Sequence, residues 1–464
     1  MASASPFFEI PDRHAGAPIH RPSERTHPVE SRPPRAFWAL LAVALLSAPQ
    51  LAMAAEDAAL ADDDRIAELE RKVEILSDEL ERTRTAMAVP EEPVLESVYG
   101  LGPAASKVYG LAQGLSLGGY AEGRYTAYVA DKGDEKNEID FLRFVLYAGY
   151  KFTDRILFNS EVEIEHASTG EDGSVSVEFA TLDFLLADWA NVRLGLLLLP
   201  MGFLNEIHEP PFYFGTHRPS VERRIMPSTW RENGAGLFGS FLGDQFEYKL
   251  YVVNGFDASG FSASGLRGGR QKGSKALAED FAFVGRLDWR PVQGLLLGTS
   301  GYVGNAGQDQ VDSESGLALP DALTSIWEAR AQYRRSGLHL RGLFTWATVN
   351  QADRLNAALE NDVDAAIAEE MLGAYGEIAY DIWQWISPDS EMTLEPFYRY
   401  EWVDTQQAVP DGYVRNQTLR NQIHTVGMSY KPIPNVVLKA DYRNVSAEEG
   451  SPADEINLGI GLVF

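Results

Sequence analysis

Trp327-Glu-Ala-Arg-Ala-Gln-Tyr-Arg-Arg-Ser-Gly-Leu-His-Leu-Arg-Gly-Leu-Phe-Thr-Trp346 decides the fold. Trp327, Ala329, Ala331 and Tyr333 alternate with Glu328, Arg330, Gln332 and Arg334. Beyond the link at Arg335-Ser336, Leu338, Leu340, Gly342, Phe344 and Trp346 alternate with His339, Arg341 and Thr345. A period of two on both sides of a short link predicts two antiparallel strands. A soluble sandwich alternates too, but its buried face is apolar. Here the apolar face mixes large and small residues without charge, and the other face is ionic, which suits a wet lumen better than a packed core.

The same texture runs outward in both directions. Leu142, Phe144, Leu146, Ala148 and Tyr150 share a face opposite Arg143, Tyr147 and Lys151. Ile456, Leu458, Ile460, Leu462 and Phe464 close the chain. About sixteen such segments fit between Leu115 and Phe464, those near Val175, Gly236 and Leu295 being ambiguous. Aromatics at segment ends (Tyr150, Tyr333, Trp346, Tyr400, Trp402, Tyr430, Tyr442) match interfacial girdles. The expected fold is all-β: a transmembrane antiparallel β-barrel of about 16 strands, preceded by a short coiled-coil helix.

Composition agrees by exclusion. The 464 residues carry 67 acids against 40 bases, a formal charge of -27, which argues against nucleic acid as a partner. Without cysteine there are no disulfides, thiolate nucleophiles or thiolate-held clusters. Mean hydropathy is -0.20, with no apolar run of about 18 residues, so helical spans are excluded. Alternating strands leave no such peak.

Three regions follow. Arg32-Pro-Pro-Arg35, the apolar run Ala36 to Leu46 and Ala52-Met-Ala54 read as a signal peptide over residues 1–54, with a long n-region that a mis-assigned start codon would explain. Residues 55–114 are expected to be a periplasmic coiled coil and linker. Its seam is Ile66, Leu69, Val73, Leu76 and Leu80, spaced alternately by three and four. The alternative is a solvated linker helix. Residues 115–464 form the barrel.

Residues 201–236 are the longest irregular stretch. A loop of that length is usually functional or disordered, and its aromatics and charges speak against disorder. Folded inward it would narrow a pore through Glu206, His208, Glu209, Arg218, Glu222, Arg223, Arg224 and Arg231. The alternative is a loop packed over the rim or at a subunit contact. On the wall, Glu161, Glu163 and Glu165 form a carboxylate ladder that would favour cations. Arg124, Arg143, Arg193, Arg330, Arg341 and Arg399 are expected to face inward as well, with cross-strand pairing as the plainer role for most. The basic loop Leu266 to Lys275 has glycines at P-loop spacing, but Ser274 precedes Lys275, so it reads as solvated or as touching lipid phosphates. No histidine has a catalytic or metal-binding setting, and no enzyme activity, cofactor or metal is expected.

A resemblance now becomes plain. Gly118-Gly-Tyr-Ala-Glu122, Asp140 to Tyr147 with Phe152-Thr-Asp-Arg155, Glu161 to His166, Pro200 to Trp230 and Gly461-Leu-Val-Phe464 resemble the phosphate-selective porin family and its uncharacterised porin relatives. The resemblance covers about three quarters of the chain. It implies a homotrimer of sixteen-stranded barrels in a bacterial outer membrane, each pore narrowed by an inward loop. The stretch Met201–Gly236 contains no lysine, unlike phosphate-selective members, so the expectation is passive diffusion of small hydrophilic solutes or ions, general or cation-leaning. Anion or phosphate selectivity is the alternative, and a tether from outer-membrane lipid to cell wall through the coiled coil is a third reading.

Overall fold

The computed structural model describes residues 65–79, 95–170 and 173–464. The signal peptide and Leu80 lie outside the described residues. The chain divides into two units, residues 1–80 and 81–464.

In the first unit, residues 65–79 are helical. Ile66, Leu69, Val73 and Leu76 are all more than half exposed along it. Lys72 pairs with Glu68 one turn earlier at 2.8 Å, a contact worth little by itself.

In the second unit sixteen strands close into one antiparallel ring, each paired with its neighbours in sequence and the last with the first. They are β1 Gly114–Ala130, β2 Glu138–Thr153, β3 Ile156–Glu165, β4 Ser174–Ala187, β5 Ala190–Leu198, β6 Arg231–Phe241, β7 Phe246–Asn254 and β8 Phe281–Val292. Then follow β9 Leu295–Gly304, β10 Thr324–Arg335, β11 Leu338–Val349, β12 Glu370–Tyr380, β13 Thr393–Ala408, β14 Arg420–Ile433, β15 Val436–Ala447 and β16 Asp454–Val463. Closure is made where Tyr120 faces Val463, and Gly119 and Phe464 exchange backbone hydrogen bonds of 3.0 and 2.9 Å. A closed ring leaves no unpaired edge, the condition for crossing a bilayer with strands.

The alternation sorts side chains as expected. Trp327, Leu340, Phe344, Trp346, Leu438, Leu458 and Ile460 are exposed on the outer face. Glu328, Arg330, His339, Arg341, Lys439, Asp441 and Asn457 are buried on the inner face. One rim has two-residue turns, such as 154–155, 336–337 and 434–435; the other carries the long segments 199–230, 255–280, 305–323 and 350–369.

Two features depart from the expected plan. The linker contains a helix, Pro103–Gly110, whose Ala104, Ala105 and Val108 are buried against the strands. The interior is also partly apolar: Ile225, Met226, Trp230, Phe256, Tyr302, Met371, Tyr375 and Val403 form one buried cluster. Trp230 stacks on Phe256 with ring centroids 4.5 Å apart. Ile225, Met226, Trp230 and Phe256 come from the long segments, and they meet Tyr302, Met371, Tyr375 and Val403 on the inner face of β9, β12 and β13.

Candidate functional site

The stretch 199–230 joins β5 to β6, and Asn205 clasps its two ends. The Asn205 amide donates to the carbonyls of Leu199 and Trp230 at 2.7 and 2.8 Å, and its Oδ1 accepts from Trp230 N at 2.7 Å. A left-handed turn at Gly202 (φ 66°) lets the next two amides reach Glu222, whose Oε2 accepts from Phe203 N and Leu204 N at 2.8 Å each. A Cβ at Gly202 would lie 2.4 Å from that carboxylate, so glycine is required for both reasons.

From this base the stretch touches inner-face side chains on all sides of the ring. Glu206 meets Lys249 of β7 at 2.6 Å and Arg286 of β8 at 3.3 Å. Phe203 lies under the Arg341 guanidinium of β11, 4.8 Å from its ring centre. Tyr375 of β12 donates to Glu222 at 2.6 Å. Arg399 of β13 donates to the carbonyls of Phe214 and His217, at 3.1 and 2.9 Å, and Glu401 accepts from Ser220 N. Lys439 of β15 donates to Gly215 O at 2.8 Å and sits 3.6 Å above the Tyr213 ring. Tyr213 in turn donates to Glu122 of β1 at 2.6 Å.

His208 is buried with Nδ1 3.1 Å from Asn205 O and Nε2 3.2 Å from Glu161 Oε1. The carbonyl can only accept, so Nδ1 carries a proton. The contact with Glu161 needs one proton more, on either partner. Burial pulls the His208 pKa down to about 3. Burial first, and then the charge of Glu161, lift Glu209 to about 8.

The carboxylate ladder is not free. Glu161 binds His208; Glu163 pairs with Arg143 at 3.2 Å, and Arg143 also reaches Glu122 at 3.4 Å. Glu165, half-buried, accepts from Ser174. Arg193 makes two 2.8 Å bonds to Asp183, Arg330 pairs with Glu328 and Asp288, and Arg399 with Glu377 and Glu401. Arg231 belongs to the first residue of β6, not to the loop, and pairs with Glu178 at 2.5 Å. Burial of such charges demands pairing of this kind.

A different set stays unpaired. Among the described residues Arg124, Arg218, Arg223, Arg224, Arg267 and Arg270 have no carboxylate partner. Arg224 donates to Asn421 Oδ1; Arg267 and Arg270 donate to Ser228 O at 2.7 Å each. Arg267 and Arg270 thus fold onto Ser228 and Thr229, while Lys272, Ser274 and Lys275 of the same loop stay exposed. Burial, then the charges of Arg443, Arg124, Arg218 and Arg143, press the Arg223 pKa downward, which marks the guanidiniums as one repelling cluster. Arginine stays charged regardless. Arg223, Arg224, Arg267 and Arg443 line a cavity of about 990 Å³ at the long-loop rim, facing Asp131, Asp134 and Glu135.

Sequence reasoning named Arg218, Arg223 and Arg224 as constriction candidates and did not single out Arg267 and Arg270. It also missed Lys439, Tyr213 and Asp441 as anchors; Asp441 accepts from Thr216 N at 2.7 Å. The signal for Lys439 and Asp441 was only their inward parity, and for Tyr213 only its place in the irregular stretch. Among the described residues no group of three or more His, Asp or Glu could hold a metal ion.

Solved structures place the chain in a class. Salmonella typhi OmpF, in complex with daunomycin, aligns with a TM-score of 0.51 over 76% of this chain and 98% of its own, at 15% identity. The likeness is one of fold: a closed barrel of the outer-membrane porin type. The anion-selective porin from Comamonas acidovorans aligns less well, with a TM-score of 0.46 and 11% identity over 76% of this chain and all of that one. No family model matches. In sequence, the chain is 36% identical over 394 residues to a protein of Aquifex aeolicus (strain VF5) described as an uncharacterized protein, covering 82% of this chain and 87% of the other. The two belong to one family.

Proposed function

We propose that the chain is an outer-membrane porin that passes small hydrophilic solutes by passive diffusion, with stretch 199–230 as its constriction. The observation that carries this reading is the division of faces: a closed ring, apolar outside and ionic inside. The contacts of 199–230 with inner-face side chains around the ring support its place within the lumen. Charge bias at that stretch favours anions, because the carboxylates are buried in pairs while Arg218, Arg223 and Arg224 form no ion pair with a carboxylate among the described residues. The lipid-facing band belongs in the outer membrane, the exported N-terminal helix in the periplasm. Three copies assemble through the exposed seam of residues 65–79, and contact of that coiled coil with the cell wall is a second role.

A liposome-swelling assay tests the channel. Vesicles holding the purified protein should swell in isotonic small sugars, more slowly as solute size grows. Absence of swelling with every solute would remove the reading.

A further inference from the structure

We propose that residues 95–113 form a displaceable plug at the short-turn rim, a second constriction in series with stretch 199–230. The inference rests on the pore reading above.

The seat is built into the wall. Ala104 and Ala105 of helix Pro103–Gly110 are buried in a cluster with Tyr120, Val145 and Tyr147, and Val108 is buried as well. Beneath the helix the strands carry glycine. A Cβ on Gly149 would lie 2.8 Å from that of Val108, and one on Gly118 would lie 2.9 Å from the Ala104 carbonyl oxygen. Neither position has a positive φ, so close approach of the helix, not backbone conformation, is what excludes a side chain there.

Polar latches fix it. Lys151 Nζ donates to the carbonyls of Tyr109 and Leu111 at 3.0 and 2.6 Å, which occupies the helix's last turn. Asn159 donates to Ala105 O at 2.8 Å. The Tyr109 hydroxyl donates to Asp183 at 2.6 Å and accepts from Arg193 at 2.8 Å. At the other end Ala104 N donates to Glu209 at 3.1 Å, so the two constrictions touch.

The attachment is one-sided. These latches come from β2, β3, β4 and β5, and β1 already pairs with both β16 and β2. The ring therefore closes without the helix. Across from it a cavity of about 280 Å³ remains between Leu95, Gly100 and Pro103 on one side and Arg286, Arg334 and Arg341 on the other. That gap is the exit the plug leaves open.

The test is Gly149→Leu in the full-length protein, read by single-channel conductance and by trypsin cleavage after Lys107. A leucine there cannot share space with Val108. Release of a helix about 10 Å wide should raise conductance roughly twofold and expose Lys107 to trypsin. Unchanged conductance with Lys107 newly cleaved would overturn the plug. Should Gly149→Leu fail to give the heat-modifiable band of a folded barrel, Lys151→Ala with Asn159→Ala replaces it, removing two latches without adding volume. Higher conductance than the wild type supports the plug; equal conductance overturns it. No conductance from any form would overturn the pore and the plug together, whereas conductance indifferent to all these changes would overturn the plug alone.

Discussion

On the proposed reading Arg223 and Arg224 bias the ion preference, since neither forms an ion pair with a carboxylate among the described residues. Replacing both with alanine should lower the chloride-to-potassium permeability ratio by about two- to threefold, since a fixed field of one sign sets the bias. Reversal potentials would show it; an unchanged ratio would place these residues outside the conducting path. Glu209 titrates differently. Its carboxyl is lifted from 4.5 to about 8, chiefly by burial. A raised carboxyl pKa means the packed site holds its proton while a released one loses it, so packing weakens between pH 4.5 and 8 and the loss is complete above the upper value. Trypsin cleavage after Lys107 should therefore rise as pH passes through about 8. Glu209→Gln, which keeps the acceptor for Ala104 N, should flatten that profile; the same pH response in the variant would assign the effect elsewhere. The positive run Arg218 to Arg224 was legible in the sequence. Its lack of ion pairs was not, because an irregular stretch does not show in its sequence which wall residues it will meet.

Among elements, stretch 199–230 is pinned to β12 through Glu222, which takes two backbone amides and the Tyr375 hydroxyl. Glu222→Ala leaves these buried donors unmet, at about 1–3 kcal/mol each. Its expected signature is noisier open-channel current without loss of the folded barrel; quiet wild-type current would show that the clasp at Asn205 suffices alone. The strands were legible wherever alternation was clean. The three ambiguous segments are all strands, and each hid for a physical reason. In β4 a bulge near Glu178 shifts the parity, and in β6 glycines at 234 and 236 erase the inner face. In β9 Leu295-Leu-Leu297 is apolar on both faces. The linker helix was missed because Ala104, Ala105 and Gly110 read as a small-residue spacer; Pro103 at its first turn was the available signal.

For the whole molecule, acid-rich composition and low mean hydropathy resembled a soluble protein, and closure explains why they misled. Ionic residues are spent on the inner face and loops, while the apolar residues form an outer band too dispersed to raise a hydropathy peak. Helix 65–79 lies in a unit of its own, so on the proposed assembly deleting residues 62–87 should leave single-channel conductance unchanged while weakening the trimer on a native gel. Loss of conductance on deletion would mean that the pore forms only within the assembled trimer. The central claim is most directly tested by planar-bilayer recording of the purified full-length protein across a KCl gradient. The account predicts ohmic steps whose reversal potential lies on the chloride side of zero; a bilayer that stays silent would contradict it.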